Sequence, residues 1–197
     1  MQAPVRLYGR THNANGYPRL VQIGWILTDD RDNILSSQTL YVQPSGFSIP
    51  ANVVQFNGIS TEYALEHGLT LLDVLHLFSD VLDIADTVIG HNIEYDINVL
   101  VGELRRKNQR KAILRLNSLP VVDTMKSSVK FCAIPCPPDR HYGNGSEYKY
   151  PRLQELHTRL FGCTFDNAHD AMADIEATRR CYIELQKRGV IDRQIQN

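Results

Sequence analysis

TVIGHNIEYDINVLVGELRRKNQRK, residues 87–111, changes periodicity partway along, and that change decides the fold class. Residues 87–91 form a short apolar run of strand length. From there Ile93, Ile97, Leu100 and Leu104 recur at three- and four-residue spacings, which predicts a helix over 93–111. A strand that passes straight into a helix is the building unit of a layered α/β domain. The helix contains an anomaly. Asp96 lies three residues after Ile93 and four before Leu100, at the edge of the face that should be buried.

The same alternation extends outward. Upstream, LTLLDVLHLFSDVLDIAD (69–86) has helical spacing of its leucines and valines. Before it, RLVQIGWIL (19–27) and ILSSQTLYVQ (34–43) are strand-like runs joined by the polar TDDRDN, which predicts an antiparallel hairpin. Downstream, PVVDT (120–124) reads as a strand, and FCAIPCPPDRHYGNGSEYKYP (131–151), rich in Pro, Gly and polar residues, as a loop. Two helices follow, RLQELHTRLFG (152–162) and one that begins near His169. With no repeats and no linker, the expectation is one α/β domain over 1–197, a mixed sheet flanked by helices.

The last helix repeats the anomaly. In FDNAHDAMADIEATRRC (165–181) the stripe runs through Ala171, Ile175, Thr178 and Cys181, then Tyr182 and Leu185, and Asp174 falls within it. A single buried carboxylate is satisfied by a cap or an arginine. Two that face one interior repel each other unless a cation lies between them, and hard oxygen donors suit Mg²⁺ or Mn²⁺.

Composition narrows the classes. The chain has 197 residues, 43% hydrophobic, with a formal net charge of -1, so no global charge bias selects a partner. The opening MQAPVRLYGRTHNANG lacks the apolar run of a signal peptide, and no later stretch is long and apolar enough to span a bilayer. The expectation is a cytoplasmic protein with no membrane partner. Its four cysteines read as reduced thiols. Cys132, Cys136 and His141 have the spacing of half a zinc knuckle without its second pair, so a loop cysteine pair is the reading. The basic run RRKNQRK (105–111) with Arg115 reads as a solvated helix face or a phosphate contact.

GHNIEYD and AHDAMADIEAT, taken in order, resemble the second and third motifs of the DEDDh branch of 3′-to-5′ exonucleases, the group that includes the proofreading epsilon subunit of bacterial replicative DNA polymerase. PRLVQIGW is similar to the family's second strand, IPANVVQFNGIS to its Ile-Pro turn and Gly-Ile loop, VVDTM to its fifth strand, and YPRLQELHTRLFG to the helix before the last motif. The resemblance implies an RNase H-like three-layer fold in which four acids hold two Mg²⁺ or Mn²⁺ ions and mononucleotides leave a 3′ end. Residue by residue it makes Asp96 and Asp174 metal ligands and His169, five residues before Asp174, the general base. Phe56, Asn57 and Ile59, with His91 and Asn92, would line the substrate. The implied partners are single-stranded or 3′-ended nucleic acid, DNA ahead of RNA, and a DNA polymerase. Asp123 would support the site from behind, while Asp170 and Glu176 read as solvent-facing helix acids.

One departure bears on activity. The family's first motif, Asp-x-Glu-Thr at the end of the central strand, supplies the other two ligands, yet this chain has no Asp or Glu before Asp29. Threading PVRLYGRT (4–11) onto that strand puts Tyr8 and Arg10 where the acids belong. The preferred expectation makes the first residues an insertion that follows an upstream motif, leaving the central slot poorly filled and the chain aggregation-prone. The competing expectation makes residues 4–10 a degenerate central strand. Two functions follow: a 3′-to-5′ exonuclease impaired as this chain stands, or a non-catalytic nucleic-acid-binding or adaptor domain.

Overall fold

The computed structural model describes residues 2–8, 19–136, 147–166 and 171–192; for 2–8 and for Phe56 it describes backbone alone. Five strands form one mixed sheet: β1 (Gln2–Tyr8), β2 (Gln22–Thr28), β3 (Ile34–Tyr41), β4 (Thr87–Gly90) and β5 (Val121–Asp123), in the order β3-β2-β1-β4-β5. The predicted hairpin is present. β2 pairs antiparallel with β3, from Gln22↔Tyr41 to Thr28↔Ile34, and carries a register shift at Leu27/Thr28.

The central slot is filled, which corrects the preferred expectation. β1 pairs antiparallel with β2 (Leu7↔Ile23, Gln2↔Thr28) and parallel with β4 (Gln2↔Thr87, Pro4↔Ile89). With both neighbours bonded to it there is no empty slot between β2 and β4, and the aggregation argument built on such a slot lapses. β1, β4 and β5 run parallel, so their C-terminal ends share one edge of the layer.

Nine helices are described: α1 (Ala51–Asn57), α2 (Thr61–His67), α3 (Leu71–Ile84), α4 (Ile93–Arg106), α5 (Arg110–Ser118), α6 (Thr124–Ser127), α7 (Val129–Cys132), α8 (Leu153–Phe161) and α9 (Ala171–Lys187). They cover both faces of the sheet. Ile23, Trp25 and Leu27 of β2 and Val88 of β4 pack with α3, α4 and α5. Ile89 and Val122 point the other way, because side chains alternate along a strand, and pack with α8 and α9. A third cluster gathers Val21, Ile49, Val53, Ile59 and Ala64 around α1 and α2. Covered on both faces, β2 is buried at every position, whereas the edge strand β3 leaves Ile34 and Leu35 exposed.

The helix expected over 93–111 is two. α4 ends at Arg106, Asn108 takes a left-handed φ of 56°, and α5 begins at Arg110. Among the described residues no helix is long and apolar enough to cross a membrane.

Candidate active site at the sheet edge

β4 ends at Gly90, and two residues later α4 begins. A Cβ on Gly90 would stand 2.8 Å from Ile93 Cβ, so only glycine lets the chain turn this tightly. Asn92, at the N-cap, has a left-handed backbone (φ 61°, ψ 38°), which Asn tolerates better than most residues. Its amide donates to Asp123 Oδ1 at 2.9 Å. Asp123, the last residue of β5, also accepts from the amides of Met125 (2.9 Å) and Lys126 (3.4 Å), and so caps α6 while it fixes the start of α4. The sequence reading placed Asp123 behind the site without identifying this double cap; a strand-ending Asp before a helical Thr-Met-Lys-Ser is the signal that would have found it.

His91 is buried (6% exposed), with Nδ1 3.0 Å from the Thr124 hydroxyl and Nε2 3.0 Å from the Pro151 carbonyl. A carbonyl only accepts, so Nε2 carries a proton. The ring thus ties β4 to α6 and to the entry of α8. Asn92, next to it, is exposed.

Asp96 sits in the first turn of α4 and is 5% exposed; Asp174 sits in the first turn of α9 and is 2% exposed. Both carboxylates are therefore at the positive end of a helix, where a negative charge is favoured. Each faces the interior, as its place on an apolar stripe predicts. α4 and α9 both pack on β1, from opposite faces of the sheet. Ile175, beside Asp174, meets Gly24 so closely that a Cβ there would lie 2.6 Å from its Cδ1, and Gly24 pairs with Arg6 of β1. Asp96 lies in the first turn of α4, which starts three residues after Gly90, beyond the Pro4↔Ile89 pairing. Both acid-bearing turns are thereby directed to the C-terminal half of β1.

The remaining predicted site residues fall differently. Ile59 is 4% exposed and belongs to the third core cluster. Asn57 Oδ1 accepts from the Ile59 amide at 3.0 Å and closes the turn after α1, where Gly58 is left-handed (φ 72°). The side chain of Phe56 lies outside the described residues, as do His169, Asp170 and His141. Glu176 pairs with Arg179 at 2.9 Å. Three cations of the basic stretch are engaged within the chain: Arg106 with Glu103 (3.0 Å), Lys111 with Asp83 (2.9 Å), and Arg115 with the carbonyls of Leu82 (3.1 Å) and Ala85 (2.6 Å).

Sequence reasoning missed a third buried acid. Glu103 of α4 is fully buried; Oε1 accepts from Arg19 Nε (2.8 Å) and from the Leu20 amide (3.0 Å), and Oε2 lies 3.0 Å from Arg106 Nη1. The Oε2 contact is an ion pair by distance without the alignment of a hydrogen bond. Its signal was spacing: Glu103 lies seven residues after Asp96, on the same face.

A two-ion centre of the kind the resemblance implies needs acids from the central strand as well. Among the described residues no group of three or more His, Cys, Asp or Glu is placed to hold a metal. β1 reads QAPVRLY, a sequence without an acid. Among the described residues the donor set, two helix carboxylates, does not make up that centre.

Comparison with known proteins agrees with this architecture. The RNase T exonuclease family model matches residues 10–182, beginning past β1. Among solved structures, Escherichia coli Exonuclease I in complex with a dT13 oligonucleotide superposes with a TM-score of 0.74 at 21% identity, over 95% of this chain and 41% of that one. The zinc-bound form of the E. coli Exonuclease I complex with single-stranded DNA gives 0.75 at 21% identity, over 95% and 40%. A moderately thermophilic Exonuclease I from Methylocaldum szegediense gives 0.71 at 22% identity, over 95% and 40%. The chain thus spans about two fifths of the length of these structures. No curated protein sequence matches it.

Proposed function

The chain belongs to the DEDDh-type 3′-to-5′ exonuclease family, metal-dependent hydrolases of nucleic acids with an RNase H-like fold, and we propose that it engages the 3′ end of single-stranded nucleic acid, DNA ahead of RNA, at the sheet edge between α4 and α9, while hydrolysing it weakly or not at all. The observation that carries the reading is the central strand. β1 fills the position between the two acid-bearing helices, and its sequence supplies neither acid of a first motif. Asp96 and Asp174 correspond to the second- and third-motif ligands, and Mg²⁺ or Mn²⁺ would be the ions of a complete site. When bound, such ions supply charge stabilisation at the scissile phosphate.

The residues present have narrower tasks. Asn92 is exposed on a backbone fixed by Asp123, which suits it to donate to a terminal nucleotide. His91 is held by Thr124 and Pro151, so its part is to set the position of Asn92. Asn57 shapes the loop that would flank the last base, and Phe56 would offer it a ring to stack on. His169 precedes α9 in sequence and is the candidate base. Losing two of four metal ligands removes several kcal/mol of transition-state stabilisation, on the order of a thousandfold or more in rate.

The oligonucleotides named in the related Exonuclease I structures, dT13 among them, support a single strand as the ligand. A non-catalytic nucleic-acid-binding or adaptor role is the second reading, favoured by the same acid-free strand; nothing supports a polymerase partner. The test is a time course on a 5′-labelled single strand in Mg²⁺ or Mn²⁺. The 197-residue chain is compared with a version whose residues before Arg19 are rebuilt with a strand ending in Asp-x-Glu-Thr, and with Asp174→Asn in that version. The rebuilt form should give a ladder shortening from the 3′ end that Asp174→Asn abolishes, and the native chain little or none. Absence of binding by every form would refute both readings.

A further inference from the structure

A cavity of about 430 Å³ is lined by Arg19, three residues before β2, and by the C-terminal end of α4, and neither Asp96 nor Asp174 lines it. Its wall includes Arg19, Ser45, Thr70, Arg106 and Lys107, three of them cations drawn from two separate segments. Glu103 lies behind the wall, fully buried, with Arg19 Nε at 2.8 Å and Arg106 Nη1 at 3.0 Å. One carboxylate therefore anchors two guanidinium groups; counted with Asp73 beside Thr70, two negative charges stand against three positive ones, which leaves a net charge of one. Arg19 is held further by Phe47, whose ring centroid lies 4.4 Å from its Cζ. Nearby Asp73 accepts from the Thr70 hydroxyl at 2.7 Å, which takes up that proton. Lys107, the α4 C-cap, is exposed at the rim.

We infer that this cavity is a phosphate-binding subsite, in which Arg106, Lys107 and Arg19 hold a phosphodiester of the bound strand some way from its 3′ end. The inference rests on the proposed function for the identity of the strand. Three considerations converge on it. Guanidinium groups fixed by a buried carboxylate lose little freedom when they bind an anion, which is the condition for a built site as opposed to a solvated charge run. The volume suits a small ligand group, and the lining mixes cations with the hydroxyl of Ser45. The location fits a strand that continues past the terminus: Glu103 is seven residues beyond Asp96 on one helix face, about 10 Å along the axis.

The experiment measures binding of a fluorescent single-stranded oligodeoxynucleotide by anisotropy over a series of salt concentrations, without divalent ions, for the 197-residue chain, Lys107→Gln, Lys107→Glu and Arg106→Lys. Lys107 is exposed, so its variants should melt with the parent chain and report on binding alone. Lys107→Gln should weaken binding about tenfold and lower the slope of log K against log salt by about 1; Lys107→Glu should weaken it further, and Arg106→Lys should retain part of it. A parallel arm measures the shift in melting temperature caused by inorganic phosphate, expected for the parent chain and absent in Lys107→Glu. If the oligonucleotide binds every variant with the same affinity and slope, the subsite is overturned and the proposed function stands. If inorganic phosphate protects the parent chain and no oligonucleotide binds, the cavity serves free phosphate, and the strand as ligand is overturned together with the proposed function.

Discussion

α4 carries a buried acid near each end, and the two differ in what holds them. Glu103, near the C-terminal end, is closed in by the chain itself: the guanidinium groups of Arg19 and Arg106 and the amide of Leu20 gather round its carboxylate. Asp96, at the N-terminal end, lies at the edge of a sheet where a second helix brings a second carboxylate, Asp174, and where the strand between them offers no acid. Burial alone therefore does not mark a functional acid; what converges on it does. Glu103 binds the entry of β2 to α4, and Asp96 is the acid that the proposed function assigns to the site at the sheet edge.

That contrast breaks most readily at Glu103. Glu103→Ala leaves two cations and an amide facing a buried gap, and should cost about 3–5 kcal/mol in urea unfolding. Asp96→Asn keeps the volume of the side chain and should cost markedly less. Equal losses from the two variants would erase the distinction between the ends of the helix.

A smaller effect sharpens the other end. Gly90→Ala would press a methyl against Ile93 Cβ at 2.8 Å, just where β4 turns into α4. Such overpacking costs about 1–3 kcal/mol. Because the displaced turn carries Asn92 and Asp96, oligonucleotide affinity should fall together with stability. A variant as stable as the parent chain and with unchanged affinity would show that the tight turn does not position the site.

An effect confined to alkaline pH concerns α9 behind Asp174. Burial pushes the Cys181 thiol up from 9.0 to about 12. In the unfolded chain the thiol ionises above pH 9.0 and in the folded chain it does not, so unfolding releases a proton and stability falls as pH rises from 9.0 towards about 12. The slope approaches about 1.4 kcal/mol per pH unit. Cys181→Ala should flatten the alkaline decline relative to the parent chain, and identical pH profiles would contradict the burial argument.

How far the sequence reveals this molecule varies by element. The hairpin was legible because Ile23, Trp25 and Leu27 alternate with residues of the opposite face, and α3 because its leucines keep helical spacing. β1 was read against because PVRLYGRT puts Tyr8 and Arg10 where the family's central strand carries acids; strand pairing depends on backbone groups, so the sequence can form the central strand without those acids. The break between α4 and α5 was invisible because no Gly or Pro marks it; Asn108 turns the chain by taking a left-handed φ. α1 and α2, seven residues each, are too short for periodicity to register; the sequence of α1 was matched to a turn and loop, and that of α2 drew no assignment. At the site, Asp96 and Asp174 were legible as acids on apolar stripes. The support of Asn92 by Asp123 was not, since it joins residues 31 apart through a backbone amide.

Whether this fold holds a strand without cleaving it efficiently is answered by following binding and turnover in one sample. A single-stranded oligodeoxynucleotide labelled at its 3′ end is mixed with the 197-residue chain in Mg²⁺, and its anisotropy is recorded over time beside Asp96→Asn and Asp174→Asn. The anisotropy should rise on mixing and then stay level in the parent chain. A rise that collapses quickly as labelled mononucleotide is released, and that either substitution prevents, would show that this chain assembles an effective hydrolytic site without acids from β1.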